Sequence, residues 1–154
     1  MSQLVVGVDF SHLSPLVVST ALGIAESRPE VQIHVVHVAK NLGAQVRLDL
    51  PDGERVLAPQ EAAAYLADYT ARALQSRGGP TAASKERVTT HLRVGTPSTE
   101  VVELAAELDA DLIVVGTEGT TGVERFLLGS TAENVVRKAG CPVWVVREKG
   151  ASET

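Results

Sequence analysis

Between residues 116 and 133 the chain reads Gly116-Thr117-Glu118-Gly119, nine further residues, then Gly129-Ser130-Thr131-Ala132-Glu133. Glycines let backbone N–H groups approach an anion, and the first turn of a helix adds unpaired N–H groups with a partial positive charge. Together they can cradle a phosphate chain. The Ser130-x-x-Glu133 spacing predicts a capping box that starts a helix at Ser130, and the apolar run Leu112-Ile113-Val114-Val115 just before Gly116 predicts a buried strand. The order is strand, glycine loop, helix start. A second candidate is Asp9, which ends the apolar run Leu4 to Val8 and either contacts a ligand or closes its own turn through nearby backbone N–H groups. The four histidines, His12, His34, His37 and His91, have no helical pair spacing and Cys141 stands alone, so no transition-metal site is expected. No Walker A sequence and no Gly-x-Gly-x-x-Gly occurs, so the cradle is of another kind. A receiver-type acidic site does not fit either, because Phe10 follows Asp9 and Arg147 follows Val146.

The elements that must hold these residues alternate. Leu4 to Val8 reads as a strand buried on both faces, followed by a helix from Ser14, taken as N-cap, to Arg28-Pro29. Val31 to Val38 is a second, β-branched strand. Periodicity fails from Ala39 to Ala58, a surface excursion of about twenty residues with a turn at Pro51-Asp52-Gly53, longer than usual connections. Pro59 opens a helix that stops at Gly78-Gly79-Pro80, and Arg87 to Val94 is the third strand. Thr96 caps a helix with Val101, Leu104, Ala105 and Leu108 as its stripe, and Leu112 to Val115 is the fourth strand. The last helix ends at Ala139 with Gly140 as its C′ residue, and Val143 to Val146 is the fifth strand. This pattern predicts an α/β fold, a single doubly wound five-stranded parallel sheet of order 3-2-1-4-5 with helices on both faces, spanning residues 1–147 before a polar tail at 148–154. Ligands of such sheets bind outside the carboxyl ends of the strands where the winding reverses. Here that is between strands one and four, where Asp9 and Gly116 face each other.

Composition narrows the partners. At 154 residues and 16.2 kDa one core suffices. Net charge is -5 with a pI near 5.3 and no basic block, so nucleic acid is not an expected partner. The single cysteine excludes an intramolecular disulfide and suits a reducing compartment. The N-terminus lacks a basic n-region, and no apolar run approaches the ~18 residues of a membrane span. A soluble, cytoplasmic protein with no membrane partner is expected.

The pattern Gly116-x2-Gly119-x9-Gly129-Ser130 resembles the nucleotide-binding sequence of the universal stress protein family, and Ser130 through Val146 is similar to that family's C-terminal signature. The likeness extends to Val8-Asp9-Phe10-Ser11, His37-Val38, Gly95-x-Pro97 and Asp111 to Gly116, and so covers essentially the whole chain. For the ATP-binding branch, the resemblance implies that Asp9 and the backbone at Val38 contact adenine, and that Gly116, Gly119, Gly129, Ser130 and Thr131 take the phosphates. It further implies a homodimer through the edge strand Val143 to Val146, which carries the apolar Trp144. The expected function is a regulatory stress-response module that binds ATP with Mg2+ on the phosphates. The alternatives are a weak ATP hydrolase or phosphotransferase, for which no base or arginine finger stands out, and a nucleotide-free dimeric adaptor. Glu118 departs from the relatives' basic or neutral residue: its charge either repels a triphosphate or helps to hold the Mg2+, directly or through water.

Overall fold

The computed structural model describes residues 1–76, 85–117 and 128–148. Gly119, Glu118, the Gly78-Gly79-Pro80 helix stop and tail residues 149–154 lie outside the described residues. Strand β1 (Gln3–Gly7) pairs in parallel with β2 (Gln32–Asn41) on one side and with β6 (Leu112–Gly116) on the other. β2 also pairs in parallel with β5 (Val88–Val94), and β6 with β7 (Val143–Val146). The apolar runs are continuous because successive side chains alternate between two packed layers. Leu4, Val6, Ile33, Val35, Leu112 and Val114 pack with the helix residues Val17, Ala21, Ala62 and Leu66. Val5, Val36, Ile113 and Val115 pack on the opposite side with Val101, Leu104, Ala132 and Val135. Helices α1 (Ser14–Ala25) and α2 (Pro59–Gln75) therefore cover one face, and α3 (Pro97–Glu107) and α4 (Ser130–Lys138) the other. Val5, Val6, Ile113 and Val114 are completely buried, and each buried valine is worth about 1.5–3 kcal/mol relative to exposure. Among the described residues no helix is long and apolar enough to cross a membrane.

The sheet has seven strands where five are expected, in the order β4-β3-β2-β1-β6-β7 with β5 also on β2. The added pair comes from the stretch read as an irregular excursion. β3 (Val46–Leu50) and β4 (Gly53–Leu57) form an antiparallel hairpin joined to the end of β2 through Lys40↔Arg47 and Asn41↔Val46. Val46, Leu48 and Leu50 are buried while Arg47 and Asp49 are not, so the hairpin has the period of two expected of a sheet with one covered face. Gly53 turns the chain at a φ of 131°, where a side chain would be strained.

Three helix starts differ from expectation in chemistry more than in place. Leu13, not Ser14, occupies the N-cap of α1, leaving the Ser14 hydroxyl for Asp9. Thr96 stands at the cap of α3 but makes no side-chain bond there. At α4 the cap is Gly129 and no capping box forms, because Glu133 sits one residue too far along and pairs instead with Arg137 at 2.8 Å. Gly140 follows α4 without adopting the left-handed conformation of a glycine stop.

Between β2 and β5, His34 Nδ1 lies 2.9 Å from His91 Nε2, and His34 Nε2 lies 2.7 Å from Gln3 Oε1. One imidazole nitrogen donates and the other accepts, an arrangement that neutral rings satisfy and that protonation of both disrupts. Burial lowers both rings below the ordinary histidine value, and the charges of His34 and Arg93 lower His91 further. Burial also lowers His37. The unfolded chain therefore takes up protons near pH 6.5 that the folded chain refuses, so stability falls as pH drops through that value. Urea unfolding should give a lower free energy at pH 5.5 than at pH 7.5, with a smaller difference in His91→Gln; equal values in the parent would contradict neutral packing of these rings.

Candidate functional site

A cleft of about 310 Å³ opens at the carboxyl ends of β1, β2 and β6. Its first wall is the turn after β1. One oxygen of Asp9, Oδ1, accepts from the Ser11 N–H at 2.9 Å and from the Ser14 hydroxyl at 3.0 Å, while the Asp9 N–H donates to Ser14 Oγ at 3.2 Å. Asp9 thus closes its own turn through Oδ1. Phe10 takes a φ of 63°, a left-handed conformation costing roughly 1–2 kcal/mol for a residue with a Cβ. Aromatic packing compensates: its ring is buried 4.2 Å from His37, 5.2 Å from Tyr65 and 5.0 Å from Tyr69, measured between centroids. His37 Nδ1 donates to the Val8 carbonyl at 2.8 Å, which fixes the neutral tautomer that burial favours.

The second wall is apolar, formed by Val36 and Val38 of β2, Val101 of α3 and Val115 of β6. Beyond it stand Lys40, Arg47 and Asp49, brought to the rim by the hairpin. Lys40 Nζ and Arg47 Nε each lie 3.1 Å from the Asp49 carboxylate, and Arg47 also reaches Glu54 at 3.8 Å. Partial burial pushes the Asp49 carboxyl up, but the hydrogen bonds and charges of Lys40 and Arg47 outweigh it and hold the group below its ordinary value.

The third wall is the end of β6 and the start of α4. The Thr117 N–H donates to the Val146 carbonyl at 3.0 Å, and the Gly129 N–H donates to the Thr117 carbonyl at 2.6 Å. The first helical bond of α4 runs from the Glu133 N–H to the Gly129 carbonyl at 3.0 Å, so the N–H groups of Ser130, Thr131 and Ala132 have no acceptor within the helix. All three residues line the cleft.

Of the expected site residues, Asp9, Val38, Gly116, Gly129, Ser130 and Thr131 line this one cleft; Gly119 is outside the described residues. Gly116 also has a packing role. A Cβ on Gly116 would lie 3.0 Å from Leu13 Cδ2 and 3.2 Å from Val17 Cγ2, so this glycine admits the first turn of α1 against the sheet. Gly129 has φ -65° and ψ 159°, a conformation open to any residue, and its N–H is bonded to the Thr117 carbonyl. Lys40, Arg47, Asp49 and Ser11 are cleft residues that the sequence reading did not select. The alternation Val46-Arg47-Leu48-Asp49-Leu50 was the signal for Arg47 and Asp49, and the Val8-Asp9-Phe10-Ser11 likeness was the signal for Ser11; Lys40 carried none. Among the described residues no group of three or more His, Cys, Asp or Glu side chains is placed to hold a metal ion.

The profile of the universal stress protein family matches residues 1–147. The chain belongs to the universal stress protein family. A universal stress protein of Methanocaldococcus jannaschii is 52% identical over 62 residues, which are 40% of this chain and only 36% of the relative's length. Among solved structures, a universal stress protein in complex with cAMP superposes with a TM-score of 0.65 at 28% identity, covering 95% of this chain and 96% of the other. The universal stress protein from Archaeoglobus fulgidus in complex with dAMP superposes with a TM-score of 0.62 at 26% identity, covering 96% and 98%.

The contacts around Gly116 make a prediction. Gly116→Ala should lose about 1–3 kcal/mol of stability in chemical denaturation, because neither Leu13 nor Val17 can retreat without moving α1. Unchanged stability would mean that α1 is held off the sheet by other contacts.

Proposed function

We propose that the cleft binds an adenine nucleotide, with ATP as the full ligand, and that the protein is a cytoplasmic, dimeric stress-response regulator governed by that binding. The observation that carries this reading is the run of three N–H groups, unpaired within α4, at Ser130, Thr131 and Ala132, residues that line the same cleft as Asp9. An anion seated there replaces the missing acceptors and meets the positive end of the helix. The apolar wall of Val36, Val38, Val101 and Val115 suits the flat face of a base, with Asp9 and the Val38 backbone at its edge. Two solved relatives, in complex with cAMP and dAMP, support an adenine ligand. Mg2+ would ride on the phosphates, with Glu118 as a direct or water-mediated partner, since carboxylates and phosphate oxygens are its usual ligands.

Slow hydrolysis or phosphoryl transfer is the competing reading. It asks for an oriented nucleophile and compensating positive charge. The cations at the rim, Lys40 and Arg47, are both paired with Asp49, and Asp9 is engaged in its own turn, which favours binding over turnover.

Equilibrium titration with ATP tests the proposal. The parent should bind ATP, and Gly129→Val should remain folded, since the backbone there tolerates any side chain, yet lose at least about tenfold in affinity as its methyls fill the space in front of α4. Equal affinity in a folded variant would remove the phosphate assignment.

The dimer has its own support. Trp144 is 50% exposed on β7, and among the described residues β7 pairs only with β6, leaving an apolar edge open. Two copies related by a two-fold axis can pair these edges antiparallel. Sedimentation should give a dimer for the parent at micromolar concentration and a shift toward monomer for Trp144→Lys; a monomeric parent would rule this interface out.

A further inference from the structure

We infer that the Ser11 hydroxyl donates a hydrogen bond to the phosphate chain of the nucleotide, an inference that rests on the nucleotide reading of the cleft. Ser11 is only 6% exposed, lines the cleft, and its Oγ has no hydrogen-bond partner among the described residues. Its backbone is fully engaged: the N–H donates to Asp9 Oδ1 at 2.9 Å and the carbonyl accepts from the Ser14 N–H at 3.0 Å. The backbone that carries the hydroxyl is therefore held in place by bonds the hydroxyl does not itself make. A buried hydroxyl without a partner costs the folded state free energy, and a ligand oxygen that reaches it recovers that cost as affinity. Thr70 Oγ1 is likewise without a partner, but it is buried on α2 and is not a cleft residue.

The neighbouring residues say which part of the ligand the hydroxyl meets. His12 Nε2 lies 3.8 Å from Glu148 Oε2, just past the end of β7, and Leu13 packs where a Gly116 side chain would be. The turn after β1 thus leans over β6 and β7. That is where Thr117 and Gly129 hold the start of α4, whereas three of the four valines of the apolar wall lie on β2 and α3. The start of α1 follows directly after Ser11, so two helix N-termini, of twelve- and nine-residue helices, favour negative charge at this end of the cleft. A hydroxyl three residues before the start of α1, in a cleft that α4 also lines, is suited to donate to an anionic oxygen.

Ser11→Ala separates this role from a structural one. Its melting temperature without ligand should equal or exceed that of the parent, because the deleted group bonds to nothing in the protein. Its affinity for ATP and for ADP should fall about 10- to 100-fold, while its affinity for adenosine stays within twofold of the parent's. An equal loss for adenosine would move the contact to the nucleoside and overturn the inference. So would unchanged ATP affinity, or a lower melting temperature, which would reveal a protein partner for the hydroxyl. A parent that binds no nucleotide removes the reading of the cleft and this inference with it. A parent that binds ATP beside an equally competent Ser11→Ala removes this inference alone.

Discussion

The Gly129 N–H to Thr117 carbonyl bond sets the start of α4 against the end of β6. Thr117 is in turn bonded through its own N–H to Val146 at the end of β7. A phosphate site made from a helix terminus is only as good as the fixity of its first N–H groups, since a shift of one ångström forfeits most of a hydrogen bond's alignment. Here that fixity comes from the sheet. β6 is completely buried at Ile113 and Val114 and bonded on both sides, so it is among the least deformable parts of the molecule, and two backbone bonds transfer its position to α4.

The same construction serves the opposite wall. Asp9 fixes the turn after β1 by bonding Ser11 and Ser14, and the buried Phe10 holds a left-handed backbone conformation because His37, Tyr65 and Tyr69 surround its ring. The net charge of -5 would oppose an anionic ligand at long range, but at 0.15 M salt charges beyond about 8 Å are largely screened. Local groups decide. Lys40 and Arg47 are offset by Asp49, so the proposed binding of an anion relies mainly on backbone N–H groups.

The parallel strands were legible in the sequence because burial on both faces leaves a strong trace: Leu4 to Val8 and Leu112 to Val115 are nearly all apolar, and Val31 to Val38 is rich in β-branched residues. From those runs and the turn residues between them, the reversal point and its two facing exits followed. The hairpin was not read because a strand covered on one face gives only the weaker alternation of Val46, Leu48 and Leu50, inside a stretch also holding polar turn residues. Capping failed at finer grain. Ser14 and Glu133 are good capping residues by type, yet one is claimed by Asp9 and the other by Arg137, competitions that spacing alone does not reveal. The packing of Gly116 against Leu13 and Val17 was not legible either, because it joins segments roughly a hundred residues apart.

The account stands on the amides at the start of α4. In 15N-labelled protein, ATP should shift the backbone amide resonances of Ser130, Thr131 and Ala132 strongly, with smaller changes at Gly129, whose N–H is already bonded to Thr117. ATP that binds while these three amides stay unmoved would place the phosphates elsewhere and contradict it.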